Sequence, residues 1–356
     1  MPEARGPDSP GWAAIDAALQ PLYAGVEPLH FATIVPWRQG GPDPLDGISV
    51  FRNPGPPAHW HYVSYGLSEL YEKDSPEEER SGWGFELTLR LPCADEEGPS
   101  PPAWPLSFLQ NLARYVFETG NVFDAGHHMD LNGPIALGAP TGISAVAFVP
   151  DPQLPGRDTP HGRLEFLQVV GITAEELELS QSWDTLRLLE QLQALTGPLL
   201  VTDLRRPSLL SDPQRRAQVL ALAERDGSSQ GAAFVQGLEW EVEDLDEGEQ
   251  ACVRMGAIAV GSLRRMLEGR TLHGRKFLLE GDREVVVVEP ARDGAGWAIE
   301  EQVLVVRLDD AAAQAMLEDL EPRRGTFSWP ELPGLELQVL PTRIRGPGGE
   351  VIQTVG

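Results

Sequence analysis

The chain has 356 residues, and its 54 acidic against 28 basic side chains leave a formal charge of −26. Such a field disfavours direct binding to DNA, RNA or an anionic membrane and suits a basic protein partner. The length exceeds what one hydrophobic core usually serves, so two domains are expected, and 37 glycines with 32 prolines announce many turns and short elements.

Taken in order, residues 1–11 are rich in Pro and Gly and read as a flexible N-terminus. A short amphipathic helix is expected over 12–22 and a first strand over 31–35. The acid-rich stretch 72–80 reads as a solvated loop. Residues 83–91 carry the cleanest strand signal: Trp83, Phe85, Leu87, Leu89 and Leu91 alternate with Gly84, Glu86, Thr88 and Arg90. That is a period of two, with one face expected buried and the other wet. A Pro-rich link over 98–105 opens a helix over 106–119, where Leu106, Leu109, Leu112, Ala113, Val116 and Phe117 recur at helical spacing and Gly120-Asn121 supplies the stop. Tyr115 lies off that stripe.

Residues 143–149 and 164–170 read as strands. Thr173-Ala174-Glu175-Glu176 fits a capping box, in which Thr and Glu satisfy free amides at a helix start. Leu186, Leu189, Leu192 and Leu195 mark a further helix closed by Gly197. Residues 199–203 read as a strand, and Ser211-Asp212-Pro213 caps a helix running to about residue 225. The region 227–249 looks like the junction: 227–231 is a flexible hinge, 232–240 is strand-like and 241–249 is acidic. Beyond it, strands are expected near 253–260, 276–280, 284–289, 303–308 and 335–340, with helices near 262–268 and 310–320. The fold class is therefore α/β (α+β): two mixed αβ domains, each a mostly antiparallel or mixed sheet with packed helices, joined by a flexible hinge. The larger domain is placed at 12–240, an acidic linker at 241–252 and the smaller domain at 253–356.

Candidate chemistry is sparse. His59-x-His61 puts two imidazoles on one side of a strand, but no third or fourth ligand follows at a familiar spacing, so packing and hydrogen bonding are favoured over metal. His127-His128 with Asp130 sits in a Gly-bounded loop without an HExxH frame. There is no G-x-S-x-G elbow for a hydrolase and no P-loop. Gly82-Trp83-Gly84 lacks the dinucleotide-binding spacing. Cys93 lies in a Pro/acid loop with no basic neighbour along the chain to activate its thiol. Cys93 and Cys252 form no CxxC pattern and no disulfide framework. No enzyme activity, cofactor or metal is expected. The pairs Arg205-Arg206, Arg264-Arg265 and Arg323-Arg324 read as surface ion-pair partners, and 269–275 as a tight structural turn. No leader opens the chain, and no apolar run approaches the roughly 20 residues of a bilayer span, so a cytoplasmic, monomeric protein is expected. Only Lys73 and Lys276 are lysines, which points to a GC-rich, bacterial genome.

The segment 40–71 organises the chain. It joins Gly40-Gly41-Pro42-Asp43-Pro44-Leu45-Asp46, Ile48-Ser49-Val50-Phe51-Arg52-Asn53 and a run from His59 to Tyr71, packing seven aromatic or imidazole rings between turn residues. Further motifs follow at 81–91, 112–117, 166–171, 202–206, 269–275 and 316–320. In this order the chain resembles the suppressor of fused family, whose animal members capture Gli transcription factors in Hedgehog signalling. The resemblance covers most of the chain, although the long disordered insert that animal members carry after the junction is missing.

The resemblance implies two domains that close on an extended peptide, which joins a sheet edge as an extra strand. It offers Tyr115 and Phe123 as peptide-contacting aromatics, with ordinary packing as the alternative for both. His127 and Pro150 stand where Gli-binding members carry groove acids, Ala232, Ala233, Phe234 and Val235 supply the edge, and Leu267 contributes from the second domain. A His-lined groove loses the charge-assisted bonds an acidic one gives a basic peptide. The expectation is a non-enzymatic peptide clamp that does not hold the Gli motif tightly. Bacterial relatives of the family occur in toxin–immunity systems, so the alternative is an immunity protein whose acidity suits a basic nuclease toxin.

Overall fold

The structure is a computed structural model that describes residues 9–93, 100–245, 248–345 and 349–356. Most of the expected N-terminal tail, the start of the link at 98 and the acidic tip at 246–247 lie outside the described residues. The chain divides into two compact units, one of Met1–Ser180 with Thr185–Arg216 and the other of Gln181–Asp184 with Ala217–Gly356. Among the described residues no helix is long and apolar enough to cross a membrane.

The first unit runs α1 (Pro10–Leu19), β1 (Leu29–Ala32), β2 (Gly47–Asn53), β3 (His59–Tyr65), β4 (Arg80–Pro92), α2 (Trp104–Thr119), β5 (His128–Asp130), β6 (Ile143–Pro150), β7 (Arg157–Thr159), β8 (Gly162–Thr173), α3 (Ala174–Ser182) and α4 (Thr185–Thr196). α3, whose last two residues belong to the other unit, and α5 (Pro213–Asp226) span the boundary. The strands form one sheet in the order β1-β2-β3-β4-β8-β6-β5, with β7 paired to β8 off that path. β4 and β8 are parallel at its centre.

α2 covers one face. Its Phe108, Leu109, Leu112, Ala113 and Val116 pack on Ile48, Val50, Tyr62, Leu87, Leu89 and Val169, and Gly120 ends it in the left-handed region at φ 76°. α1 covers the other face, where Trp12, Ile15 and Leu19 meet Phe51, Val63, Tyr65 and Phe166. Two helical layers therefore bury both faces of the central strands.

This corrects the expectation of a wet face on β4. Glu86, Thr88 and Arg90 are completely buried, because that face lies under the α1 layer. Their polarity is met by partners distant in sequence. Asp151 receives Arg90 Nη1 at 2.7 Å, Arg90 Nη2 at 3.0 Å and the Thr88 hydroxyl at 2.6 Å. Arg90 also donates to Gln168. His61 Nε2 lies 3.4 Å from Asp151, and its Nδ1 is 2.8 Å from the Tyr23 hydroxyl. Burial works against the Asp151 carboxylate, yet His61 and Arg90 hold it well below the usual carboxylate range. Burial, with Arg90 adding to it, lowers His61 to about 4. Glu86 is pushed up to about 7 by burial, against donors from Ser64, Ser68 and Gly66.

The capping box at α3 is present: Thr173 N–H donates to Glu176 Oε2 at 2.8 Å and Glu176 N–H to Thr173 Oγ1 at 3.4 Å. Glu176 is also gripped by Arg206 at 2.6 Å and 2.7 Å, so Arg206 is a buried ion-pair partner and not a surface one. The leucine-rich stretch after Thr173 is two helices, α3 and α4. Residues 199–203 are coil instead of strand. Leu200 sits at φ 49°, and the Thr202 N–H bonds the Arg90 carbonyl outside any ladder. Space brings Arg52 Nε to 3.3 Å from Cys93 Sγ, a basic neighbour that chain order hid.

The second unit holds β9 (Ala232–Phe234), β10 (Glu239–Leu245), β11 (Gly248–Gly256), α6 (Ala257–Gly269), β12 (Phe277–Glu280), β13 (Val285–Pro290), β14 (Gly296–Glu300), β15 (Val303–Leu308), α7 (Asp310–Asp319), β16 (Gly325–Trp329), β17 (Leu332–Leu340), β18 (Thr342–Arg345) and β19 (Val351–Val355). A four-stranded sheet, β10-β11-β17-β16, and a five-stranded sheet, β14-β15-β13-β12-β9, share one apolar core with α6 and α7. β18 and β19 pair separately. The acidic stretch expected as a linker is the β10–β11 hairpin, in which Trp240 and Val242 pack on the core between Glu239, Glu241 and Glu243. The strand expected over 253–260 stops at Gly256, where α6 begins.

The segment 227–231, expected as a loose hinge, is tied down inside this unit. Ser228 N–H donates to the Gly269 carbonyl at 2.7 Å, and Ser229 N–H to the Trp183 carbonyl at 2.8 Å. Arg270 and Arg275 both donate to the Ser228 carbonyl, at 3.0 Å and 3.1 Å. Gly227 has φ 66°, and a Cβ there would meet the Gly269 carbonyl at 2.6 Å, so only glycine fits. The 269–275 turn is thus structural.

Candidate functional site

Each unit ends a sheet in a three-residue strand whose outer side is joined by no other described strand. β9 pairs in parallel with β12, with Leu278 N–H donating to the Gly231 carbonyl at 2.9 Å and Val235 N–H to the Glu280 carbonyl at 2.8 Å. Residues 231, 233 and 235 therefore face β12. Ala232 and Phe234 aim their backbone N–H and C=O groups outward, where no described strand pairs with them. β5 repeats the arrangement at the end of the eight-stranded sheet. Phe148 N–H donates to the His127 carbonyl at 2.9 Å and Leu131 N–H to the Ser144 carbonyl at 3.0 Å, which leaves the backbone of His128 and Asp130 directed away from β6.

The sequence-selected side chains divide between these edges and the cores. Phe234 is 65% exposed, Ala232 is exposed and Ala233 half-buried. Val235 and Leu267 are completely buried in the core of the second unit, so neither side chain offers a surface to a partner in this structure. At the other edge His127 is exposed, with Nδ1 accepting from Asp124 N–H at 3.2 Å. Phe123 is only 7% exposed, stacked on Phe148 at 4.2 Å, so it is chiefly core. Tyr115 is half-buried over Phe123 at 5.6 Å, and its hydroxyl accepts from Asn121. Pro150, at the end of β6, is exposed.

His59 and His61 are committed elsewhere, His59 Nδ1 lying 2.7 Å from the Pro57 carbonyl. Among the described residues no group of three or more His, Cys, Asp or Glu side chains could hold a metal ion. Sequence reasoning missed β5, too short for a periodic signal. It also missed a cavity of about 660 Å³ in the first unit, whose walls include Trp37, Tyr71, Trp83 and Phe117 from four separate segments.

The family model for the suppressor of fused protein matches residues 41–207. The human suppressor of fused homolog is 37% identical over 258 residues, covering 68% of this chain and 52% of that protein, and the mouse homolog matches equally. The chain thus spans about half the length of the curated relatives it matches. The crystal structure of Drosophila Suppressor of Fused superposes with a TM-score of 0.79 over 94% of this chain and 99% of that one, at 24% identity, a likeness of fold. A chain of the Sufu-Fu complex crystal structure matches at 32% identity and TM-score 0.56, over 60% of this chain and 97% of that one.

Proposed function

The chain belongs to the suppressor of fused family, and from that premise we propose that it is a non-enzymatic regulator that binds a protein partner through an extended segment. The observation that carries the reading is the outer side of β9, where Ala232 and Phe234 present backbone groups that no described strand pairs with, and where the Phe234 ring is 65% exposed. A partner strand laid there gains main-chain hydrogen bonds, and Phe234 anchors one of its side chains. The solved Sufu-Fu complex, of a relative, supports a protein as the kind of partner. Closure of the two units on one segment, with β5 as the second edge, is the fuller form of the proposal. The charge of −26 favours a basic segment.

Near β5 the exposed positions His127 and Pro150 supply no carboxylate, so a Gli-type peptide is expected to bind weakly. Titration with such a peptide tests this, and nanomolar affinity would refute it. The strand-addition reading is tested by Ala232→Pro, which removes an outward N–H without touching the bonds to β12. Affinity for a partner recovered from the native host should fall about tenfold with the loss of one such bond. Unchanged binding sinks the β9 edge.

A further inference from the structure

The cavity in the first unit is lined by aromatic rings, bare glycines and carboxylates. Phe117 forms its corner: Trp37 and Trp83 each meet that ring edge-on with centroids 5.5 Å apart. Gly66, Gly82 and Gly120 line it without side chains. At Gly82 the φ of 57° and a would-be Cβ 2.7 Å from the Leu67 carbonyl keep that part of the wall bare. The lip is apolar and wet, with Val122 37%, Trp37 36% and Tyr71 43% exposed. Next to Trp37 in the chain, Ile34 is 97% and Val35 45% exposed.

The polar part of the lining is acidic, with Asp46, Glu69, Asp74 and Glu77 against Arg38 and Arg80. Three of these carboxylates are engaged. Burial works against Glu69, but Lys73 and the N–H groups of Ser75, Asp74 and Gly82 hold it at about 2. Asp74 lies 3.1 Å from Arg38, and Glu77 2.5 Å from Arg80. Asp46 has no basic side chain against it among the described residues and interacts with Tyr71. The Arg38 guanidinium already sits 5.7 Å over the Tyr71 ring, so this rim accommodates a cation on an aromatic face.

We propose that this cavity binds a basic, apolar segment of a partner protein, with an apolar side chain seated among Trp37, Trp83 and Phe117 and an adjacent Arg or Lys reaching Asp46. A volume of about 660 Å³ takes several side chains. The exposed Ile34 and Val35, just before Trp37 in the chain, suit a partner chain running on past the cavity, whereas a small cation leaves them wet. A second copy is disfavoured, since each carries a charge of −26. The site does not depend on the terminal strands β5 and β9.

The test uses the isotope-labelled full chain and a capped Leu-Arg-Phe tripeptide, with its citrulline counterpart as the neutral isostere. Saturable shifts of the Trp37 and Trp83 indole N–H resonances are expected, with the citrulline peptide about tenfold weaker. Asp46→Asn should bring the arginine peptide down to the citrulline level. Val122→Arg, a change on the exposed lip, should abolish binding, while Ala232→Pro leaves it unchanged. Equal affinities, shifts confined to other residues, no saturation, or tetramethylammonium alone matching the peptide would each overturn the proposal.

Discussion

The two units solve the same packing problem with opposite chemistry. The buried polar and charged side chains of the first unit include His61, Glu86, Thr88, Arg90, Asp151, Gln168, Glu176 and Arg206, whereas in the second they are, among the described residues, only Ser228 and Thr271. The second core is a continuous apolar mass between two sheets and two helices. In the first unit buried charges are paired between distant segments, Arg90 with Asp151 and Arg206 with Glu176, so removing either partner leaves a buried charge uncompensated. Apolar burial supplies stability in the second and tolerates repacking.

That contrast can be broken by removing one ion. Asp151→Ala leaves Arg90 buried without its carboxylate, and a loss of about 4 kcal/mol is expected. Hydrogen exchange should show lost protection in β3, β4 and β8 while β13 and β15 keep theirs, and uniform loss would contradict the contrast. In the second unit Leu267→Ala opens an apolar void for about 3 kcal/mol. Urea melts should show this loss. A change in partner affinity beyond what stability explains would restore Leu267 as a contact.

Acid sharpens the comparison further. His61 titrates at about 4 in the fold against 6.5 in the unfolded chain, so between those values the unfolded state binds more protons. The stability is fully present above pH 6.5 and is lost as pH falls through the folded value. Going from pH 7 to pH 5, His61 alone should remove about 2 kcal/mol, while Glu86, pushed up to about 7 in the fold, adds a similar amount, so the His61 share is read as the difference between the wild type and His61→Gln. Over that range the wild type should lose about 2 kcal/mol relative to His61→Gln, and parallel pH profiles would remove His61 as a source. The smallest effect belongs to the second unit: Asp309 caps α7 through the Ala312 N–H at 2.9 Å, and Asp309→Ala should cost about 1 kcal/mol by thermal melt.

The sequence made the local signals legible. The alternation on β4, the stripe and glycine stop of α2, and the Thr173–Glu176 box all depend on neighbours within a few positions. What escaped depends on distance. Glu86, Thr88 and Arg90 looked solvated because their partners lie up to 78 positions away. The acids from Glu241 onward looked like linker because charge drew attention from Val242, which packs on the core between Glu241 and Glu243. At the candidate site, Ala232 and Phe234 were legible as an edge. Leu267 was not legible as core, since one leucine on an amphipathic helix does not reveal which side is covered.

The Asp151 cluster also bears on how the sequence can change. Side chains from β3 and β4 converge on a single carboxylate, so a substitution at any one position strands the others in a dry interior. Drift on that face is expected to move several positions in concert or none, while the valine-rich strands of the other unit exchange one methyl-bearing residue for another independently.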